Sequence, residues 1–205
     1  YQFLVPLDGN SLSDWLLPLL YINPHYSSTL DSWFRYGRII QPVAQAIMPL
    51  ASPILDYVKN STLQRYSNKI GVQMRKVKGT LDVNKFVDIA KLLVLENEFE
   101  KNDTVFHVAS DDQTLRKQAL DRIQQEGYAA TFLPPEYVYS PEGKEGLLRD
   151  NVLGLQFALV EMYLLSQCDE LVITHGSSFG YFAAAWGGKK PTYLTANGHH
   201  RSIIV

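Results

Sequence analysis

Short apolar runs alternate with stretches of helical periodicity from about residue 69 onward. The apolar runs are rich in β-branched residues and bounded by turn residues, as is typical of strands. They lie at 69–75, 104–109, 128–133, 170–174 and 191–195. Strands that alternate with helices in this way form parallel sheets covered by helices on both faces. The pattern therefore predicts an α/β fold with a doubly wound, Rossmann-like parallel sheet.

Helical periodicity fills most of the intervals between these runs. It predicts helices at 84–99, from a cap at 110–112 to about residue 125, at 150–167 and at 179–186. The helix at 150–167 is apolar on nearly every face, so we expect it to be buried on more than one side. Residues 136–149 follow neither period, which predicts a loop.

The first 68 residues follow a different pattern, because they are rich in aromatic residues and interrupted by six prolines. Helical periodicity is clearest there at 41–58. We interpret 1–68 as a helical lead-in that packs on the sheet and links residues 69–205, the ligand-binding domain, to a further domain.

Composition narrows the classes of ligand. The chain has 205 residues, of which 46% are hydrophobic and 20% charged, so it can bury one sizeable core. A formal charge of -2 gives no long-range attraction for nucleic acid or an anionic membrane. Any bound anion must therefore be held locally, by a few cationic side chains and backbone amides.

Targeting and redox signals are sparse in this sequence. No apolar run reaches the roughly 20 residues needed to cross a bilayer, and Tyr1 does not open a basic signal region. We expect a fragment or processed form whose parent carries any anchor outside this chain. Cys168 is the only cysteine, which predicts no internal disulfide.

Polar clusters follow three of the predicted strands, at 73–78, 110–112 and 175–180. Doubly wound sheets bind their ligands beyond the carboxyl ends of the strands. In the first cluster, Arg75 ends a strand of alternating core residues, and its planar guanidinium matches phosphate oxygens. Gln73 on the same strand is a second candidate. The alternative for Arg75 is a rim salt bridge to an acidic residue at position 82, 111 or 112.

The cluster after the strand at 170–174 contains small residues at the start of a predicted helix. Unpaired amides at a helix start bind anions, and glycine lets the backbone come close to them. The alternative is that Ser177 or Ser178 caps the helix. The candidate ligand-binding residues are His175, Ser177, Ser178, Phe179, Gly180 and Tyr181.

The cluster at 110–112 offers two carboxylates, Asp111 and Asp112. Acidic residues at this position in dinucleotide folds accept hydrogen bonds from a ribose, and they also suit the N–H groups of a base. The alternative is that Ser110 or Asp111 caps the following helix.

Motifs of several other classes are missing from the sequence. It has no G-x-x-x-x-G-K-[ST] of a P-loop NTPase. The pair His199 and His200 has no third metal ligand nearby, so we expect it in a loop. No Asp-x-Asp is placed to hold a divalent ion, and no basic stripe with stacked aromatic residues indicates nucleic acid.

The polar clusters also carry a resemblance to a known family. The segment 70–75, I-G-V-Q-M-R, resembles the first motif of the fucosyltransferase superfamily, in which the arginine holds the donor's diphosphate. The segments 158–166, 168–174, 177–183 and 187–191 are similar to plant xyloglucan-type fucosyltransferases. The resemblance implies that residues 69–205 are the C-terminal, donor-binding half of a GT-B glycosyltransferase. On this view 1–68 leads in from an N-terminal acceptor domain.

The resemblance further implies an inverting transfer of fucose from GDP-fucose to a glycan hydroxyl, with no metal or other cofactor. Arg75 and the amides of 178–180 would hold the diphosphate, and Asp82 is the candidate base because it follows the arginine strand. Expected partners are the nucleotide sugar and a glycan acceptor, not nucleic acid, with a membrane anchor on the parent, a Golgi location and room for a protein complex.

The sequence also departs from the family pattern after the arginine. Plant relatives tend to place an aspartate where this chain has Lys76, Val77 and Lys78. A catalytically inactive, fucosyltransferase-like subunit with a structural or binding role therefore stays open as the alternative function.

Overall fold

The structure of the chain is a computed structural model that describes residues 52–76, 81–133, 152–195 and 198–201. Most of the predicted lead-in, the predicted loop at 136–149 and the end of the 73–78 cluster lie outside these ranges. The proposed domain boundary at residue 68 stays a prediction.

Six strands within the described ranges form one sheet in the order β3-β2-β1-β4-β5-β6. Strands β1 to β5 are parallel, and β6 is antiparallel to β5. This strand order is that of a doubly wound Rossmann-like sheet, so the predicted fold class is confirmed. The strands are β1 (Asn68–Met74), β2 (Thr104–Ser110), β3 (Ala129–Thr131), β4 (Glu170–Thr174), β5 (Thr192–Thr195) and β6 (Gly198–Arg201).

The helices lie close to their predicted positions. The predicted helix at 84–99 ends earlier, at Glu96, where the amide of Asn97 closes the last turn on Leu93 and Leu95 and Glu98 takes a left-handed φ of 55°. The described helices are α1 (Ser52–Lys59), α2 (Val83–Glu96), α3 (Gln113–Gln125), α4 (Val152–Ser166) and α5 (Ser178–Gly187). Helical 3₁₀ turns cover Thr62–Arg65 and Lys101–Asp103.

The alternation of strand residues divides the core into two layers. Ile70, Val72 and Met74 of β1 pack with α2 and α3 on one face of the sheet. Leu171 and Ile173 of β4 pack with α4 and α5 on the other face. Helix α4 contacts α1, α5, β1 and β2, as expected for a helix that is buried on more than one side.

The prediction of a loop at His199 and His200 is wrong. Both residues lie on β6, where His199 is paired with Leu194 and His200 with Tyr193 of β5. The polar segment carries no hydrophobic alternation, and its strand arises because the edge of β5 offers unpaired backbone groups.

Gly187 marks a tight approach between α5 and the end of α4. A Cβ built on Gly187 would collide with the carbonyl oxygen of Ser166, which is backbone and cannot turn aside. We expect Gly187→Ala to lower the free energy of unfolding by about 2 kcal/mol, measured by urea denaturation.

Gly176→Ala is the matched control for this substitution. A Cβ there meets nothing within 4 Å, so only the left-handed φ of 74° opposes it, at a cost of about 1 kcal/mol. Equal losses in the two variants would contradict the steric account.

Candidate functional site

The site lies at the topological switch point of the sheet, where the strand order reverses. Strands β1 and β4 are neighbours, yet the chain continues outward from β1 through β2 and β3, and from β4 through β5 and β6. Connections that diverge in this way leave a crevice beyond the carboxyl ends of the two central strands. Arg75 directly follows β1 and His175 directly follows β4. Two of the three predicted clusters therefore flank the crevice.

Arg75 is held by its backbone at the mouth of this crevice. Its amide donates to Oγ1 of Thr174 at 2.9 Å, and that hydroxyl donates to the carbonyl oxygen of Gln73 at 3.3 Å. These bonds link the ends of β1 and β4. The Arg75 side chain is half-buried and forms no ion pair with any residue in the described ranges. The rim salt bridge is formed instead by Lys76, whose Nζ lies 2.8 Å from Oδ2 of Asp112.

Gln73 lies beneath the crevice and is 4% exposed. Its Oε1 accepts from the amide of Thr174 at 3.4 Å and would lie 2.7 Å from a Cβ built on Gly180. The side chain therefore supports the junction of β4 with α5. Its predicted contact with a ligand stays a prediction.

The turn from β4 into α5 combines a cap with free amides. Ser177 is the N-cap of α5, and its Oγ accepts from the amide of Gly180 at 3.4 Å. The capping alternative is thus confirmed for Ser177. Within the part of the chain that the structure describes, the amides of Ser178 and Phe179 donate to no acceptor. Ser178 is exposed and Phe179 is half-buried, and both amides lie at the positive end of the helix dipole.

Gly180 allows this helix start to lie directly on the sheet. A Cβ at this position would come within 2.9 Å of Cβ of Ile173 on β4. Any larger residue would therefore push the first turn of α5 away from the crevice.

An aromatic group lies beside the same turn. The ring centroids of His175 and Tyr193 are 5.1 Å apart, and those of Tyr181 and Tyr193 are 6.1 Å apart. Tyr193 belongs to β5 and was not a sequence candidate, because only the pairing of β4 with β5 brings it beside His175 and Tyr181.

The carboxylates of the predicted acidic cluster after β2 accept hydrogen bonds from other residues of the chain. Oδ1 of Asp111 accepts from the amide of Lys76 at 2.8 Å, and Asp112 accepts from the amide of Leu115 at 2.9 Å. Partial burial alone would raise the pKa of Asp112, but hydrogen bonds from Lys76 and Leu115 hold that pKa below its ordinary value.

Asp112 is also the N-cap of α3, which confirms the predicted cap at 110–112. The alternative that named Ser110 or Asp111 as the capping residue is wrong. The N-cap must have an extended backbone just before the first helical residue. Asp112 meets this condition with φ -125° and ψ 123°. Ser110 instead accepts the amide of Asp112 on its Oγ at 3.1 Å.

Asp82, the candidate base, is exposed and caps α2. Its Oδ1 accepts from the amides of Asn84 at 3.1 Å and Lys85 at 3.4 Å. Both capping bonds use the same oxygen atom. Its catalytic role stays a prediction.

A buried ion pair next to the acidic cluster escaped the sequence analysis. Arg116 of α3 and Glu161 of α4 are each 3% exposed, and their charged atoms are 2.8 Å apart. Burial raises the pKa of Glu161 above its ordinary value, although the guanidinium of Arg116 opposes that rise. One signal was available, since Glu161 is the single charged residue in the apolar segment of α4 and such a charge needs a partner.

The described helices include none long and apolar enough to span a membrane. The described residues also contain no group of three or more His, Cys, Asp or Glu side chains that could hold a metal ion.

Comparison with known proteins tests the predicted family. Residues 129–203 match the family model of xyloglucan fucosyltransferase. The Arabidopsis thaliana protein called Probable fucosyltransferase 8 is 41% identical over an alignment of 210 positions, which covers 91% of this chain and 40% of that protein. The resemblance to the xyloglucan-type fucosyltransferases is confirmed. A second Arabidopsis relative, Probable fucosyltransferase 7, is 26% identical over 88% of this chain and 38% of its own length.

The fucosyltransferase resemblance extends to the fold. A solved structure of an Arabidopsis thaliana FUT1 mutant in complex with GDP has a TM-score of 0.64 and 21% sequence identity. The match covers 91% of this chain and 45% of that chain. This likeness agrees with the predicted Rossmann-like half of the GT-B fold. The chain spans about two fifths of the length of the two fucosyltransferases that align along most of it.

Proposed function

We propose that this chain is the donor-binding part of a fucosyltransferase that uses GDP-fucose. The main support is the position of Arg75 and the start of α5 on the two sides of the β1/β4 crevice. The relatives are named as fucosyltransferases, and the FUT1 structure of the same fold is a complex with GDP. A pyrophosphate across this crevice would meet a guanidinium on one side and helix amides on the other.

Two kinds of donor would share the diphosphate. Arg75 supplies a planar pair of N–H groups, and the amides of Ser178 and Phe179 supply donors that have no described acceptor. The amide of Gly180 is already bonded to Ser177, so it contributes less than the sequence suggested. The side chains of His175 and Tyr181 lie next to this turn, and we expect them to contact the rest of the donor.

Charge stabilisation is the chemistry that these groups perform. Departure of the sugar leaves negative charge on the nucleotide diphosphate, and fixed donors stabilise that charge without reorganising. Arg75 and the two amides would do this without a divalent ion. An acceptor hydroxyl then attacks the anomeric carbon from the opposite face, which inverts it. Asp82 is our candidate for the base, since both of its capping bonds use Oδ1 and the described residues give Oδ2 no partner.

The wider setting of the protein is part of the same proposal. The acceptor is a glycan hydroxyl, and a further domain binds the acceptor glycan. The site of action is the Golgi lumen, as in cell-wall glycan synthesis. A membrane anchor would lie outside this chain, and association with other proteins is compatible with this setting.

A second candidate function has its own supporting observation. Asp111 and Asp112, the acids expected to contact the ribose or base, are both held by Lys76. A protein whose carboxylates bond to its own lysine could have kept the fold and lost the transfer activity. It would then act as a structural or binding subunit.

Calorimetric titration of the full-length protein with GDP, ADP and UDP tests the donor site. We expect binding of GDP in preference to ADP and UDP, because the proposed donor is GDP-fucose. Indifference to all three nucleotides would contradict the proposal. Incubation with labelled GDP-fucose and an acceptor glycan panel then separates the two candidates, since an inactive subunit transfers nothing whether or not it binds GDP.

A further inference from the structure

Arg116 joins three separate elements at the carboxyl edge of the sheet. Its Nη1 donates to the carbonyl oxygen of Leu133, just after β3, at 2.9 Å. Its Nη2 donates to the carbonyl oxygen of Ser110, the last residue of β2, at 2.9 Å and to Oε1 of Glu161 on α4 at 2.8 Å. The guanidinium thus fixes the exact place where β2 gives way to the acidic cluster.

That cluster in turn holds the residue next to Arg75. Asp111 accepts the amide of Lys76 at 2.8 Å, and Asp112 pairs with Nζ of Lys76 at 2.8 Å. Arg75 therefore lies between two backbone anchors. Its own amide is bound to Thr174 of β4, and the next amide is bound to the segment that Arg116 fixes.

A buried ion pair is weak evidence of a stabilising role. Taking two charges out of water costs about as much as their attraction returns, so apolar replacements of both partners are often neutral for stability. The hydrogen bonds from Arg116 to two carbonyl oxygens have no such substitute, because an apolar side chain cannot donate them. Replacing both partners with apolar residues would therefore free the segments whose carbonyl oxygens Arg116 holds.

We propose that Arg116, held by Glu161, is a positioning residue of the donor site. It fixes residues 110–112 and, through Lys76, sets where the Arg75 guanidinium meets the diphosphate. This inference rests on the proposed function, since it assigns Arg116 to the same site. Arg116 is buried, so we expect it to act through the segments it holds and not by touching the nucleotide.

The test uses a double variant, Arg116→Met with Glu161→Leu, in the full-length protein. Removing both charges together avoids leaving one of them buried and unpaired. We expect a folded protein with a lower urea midpoint, because two buried carbonyl oxygens lose their donor. GDP binding should be about three- to thirtyfold weaker, and hydrogen exchange should be faster at the amide of Lys76. The control variant is Lys117→Met with Asp121→Leu, an exposed pair on the same helix, which should change none of these.

Arg116→Lys provides a second variant if the double variant does not fold. Lysine keeps the charge beside Glu161 but loses the planar fork that reaches both carbonyl oxygens. We expect the same direction of change in GDP affinity and Lys76 exchange. A folded variant with wild-type GDP affinity and wild-type exchange would overturn the inference.

The two readouts separate this inference from the proposed function. If the wild type binds no GDP, the proposed donor site fails, and the exchange rate of the Lys76 amide alone decides on Arg116. Faster exchange in the folded variants supports positioning of the segment, whereas unchanged exchange overturns it.

Discussion

Replacing Arg75 with alanine is expected to weaken GDP binding by about ten- to a hundredfold, the equivalent of about 1.5–3 kcal/mol for hydrogen bonds to a charged group. The guanidinium follows β1 at the crevice, is half-buried and has no ion-pair partner among the described residues. Its donors are therefore available for phosphate oxygens, and alanine removes them without disturbing another salt bridge. Calorimetric titration with GDP measures the change, and transfer from GDP-fucose should fall with it.

Two further variants make the Arg75 experiment specific. Arg75→Lys keeps the charge but not the planar fork, so it should lie between alanine and the wild type. Arg65→Ala removes an exposed arginine near the amino end of β1, at the opposite edge of the sheet, and should leave GDP affinity unchanged. Wild-type affinity in Arg75→Ala would remove the main support for the donor site.

Acid should destabilise the fold strongly through His107. This histidine lies on β2, is 1% exposed, and bonds through Nδ1 to the hydroxyl of Thr131 at 3.1 Å, while its Nε2 has no partner in the described structure. Burial, and then the nearby charge of Arg116, lower its pKa from 6.5 to about 3. The folded state therefore keeps His107 neutral where an unfolded chain would protonate it.

The sign of the pH effect follows from that lowered pKa. The contribution of His107 is complete above pH 6.5 and is lost as the pH falls toward about 3. Over the whole window the loss approaches about 5 kcal/mol, and it is about 2 kcal/mol by pH 5. We expect His107→Gln to lose about 2 kcal/mol less than the wild type between pH 7 and pH 5, measured by urea unfolding.

His175→Gln is the control for this titration. His175 is exposed at the crevice, so its removal should leave the pH dependence of unfolding as it is in the wild type. If His107→Gln and the wild type lose equal stability between pH 7 and pH 5, then His107 does not carry the acid sensitivity.

The sequence predicted the sheet well where burial leaves a periodic trace. Ile70, Val72 and Met74 alternate because one face of β1 meets α2, and this alternation placed Arg75 at the strand end. Strand β6 left no such trace, since His199 and His200 owe their strand to backbone pairing with β5. Local periodicity therefore identifies elements that bury side chains and overlooks those made by an edge.

Partners across the sheet were beyond the reach of local patterns. A salt bridge from Arg75 to an acid at position 82, 111 or 112 was left open as the alternative, but the register of β1 and β2 brings Asp111 and Asp112 to Lys76 instead. Arg116 lies in a polar helix where it resembles the surface charges around it, and only the packing of α4 buries it. The sequence predicted which strand ends carry the candidate site. The hydrogen bonds and ion pairs within the site could be identified only from the folded structure.

The close packing of Gly180 against Ile173 affects how a nucleotide would bind at the start of α5. With Gln73 below it and no room for a methyl group between helix and strand, the first turn of α5 packs closely on β4. We therefore expect the amides of Ser178 and Phe179 to hold their positions before an anion binds. Little ordering of this wall should accompany association, so its entropic penalty falls mainly on the Arg75 side chain.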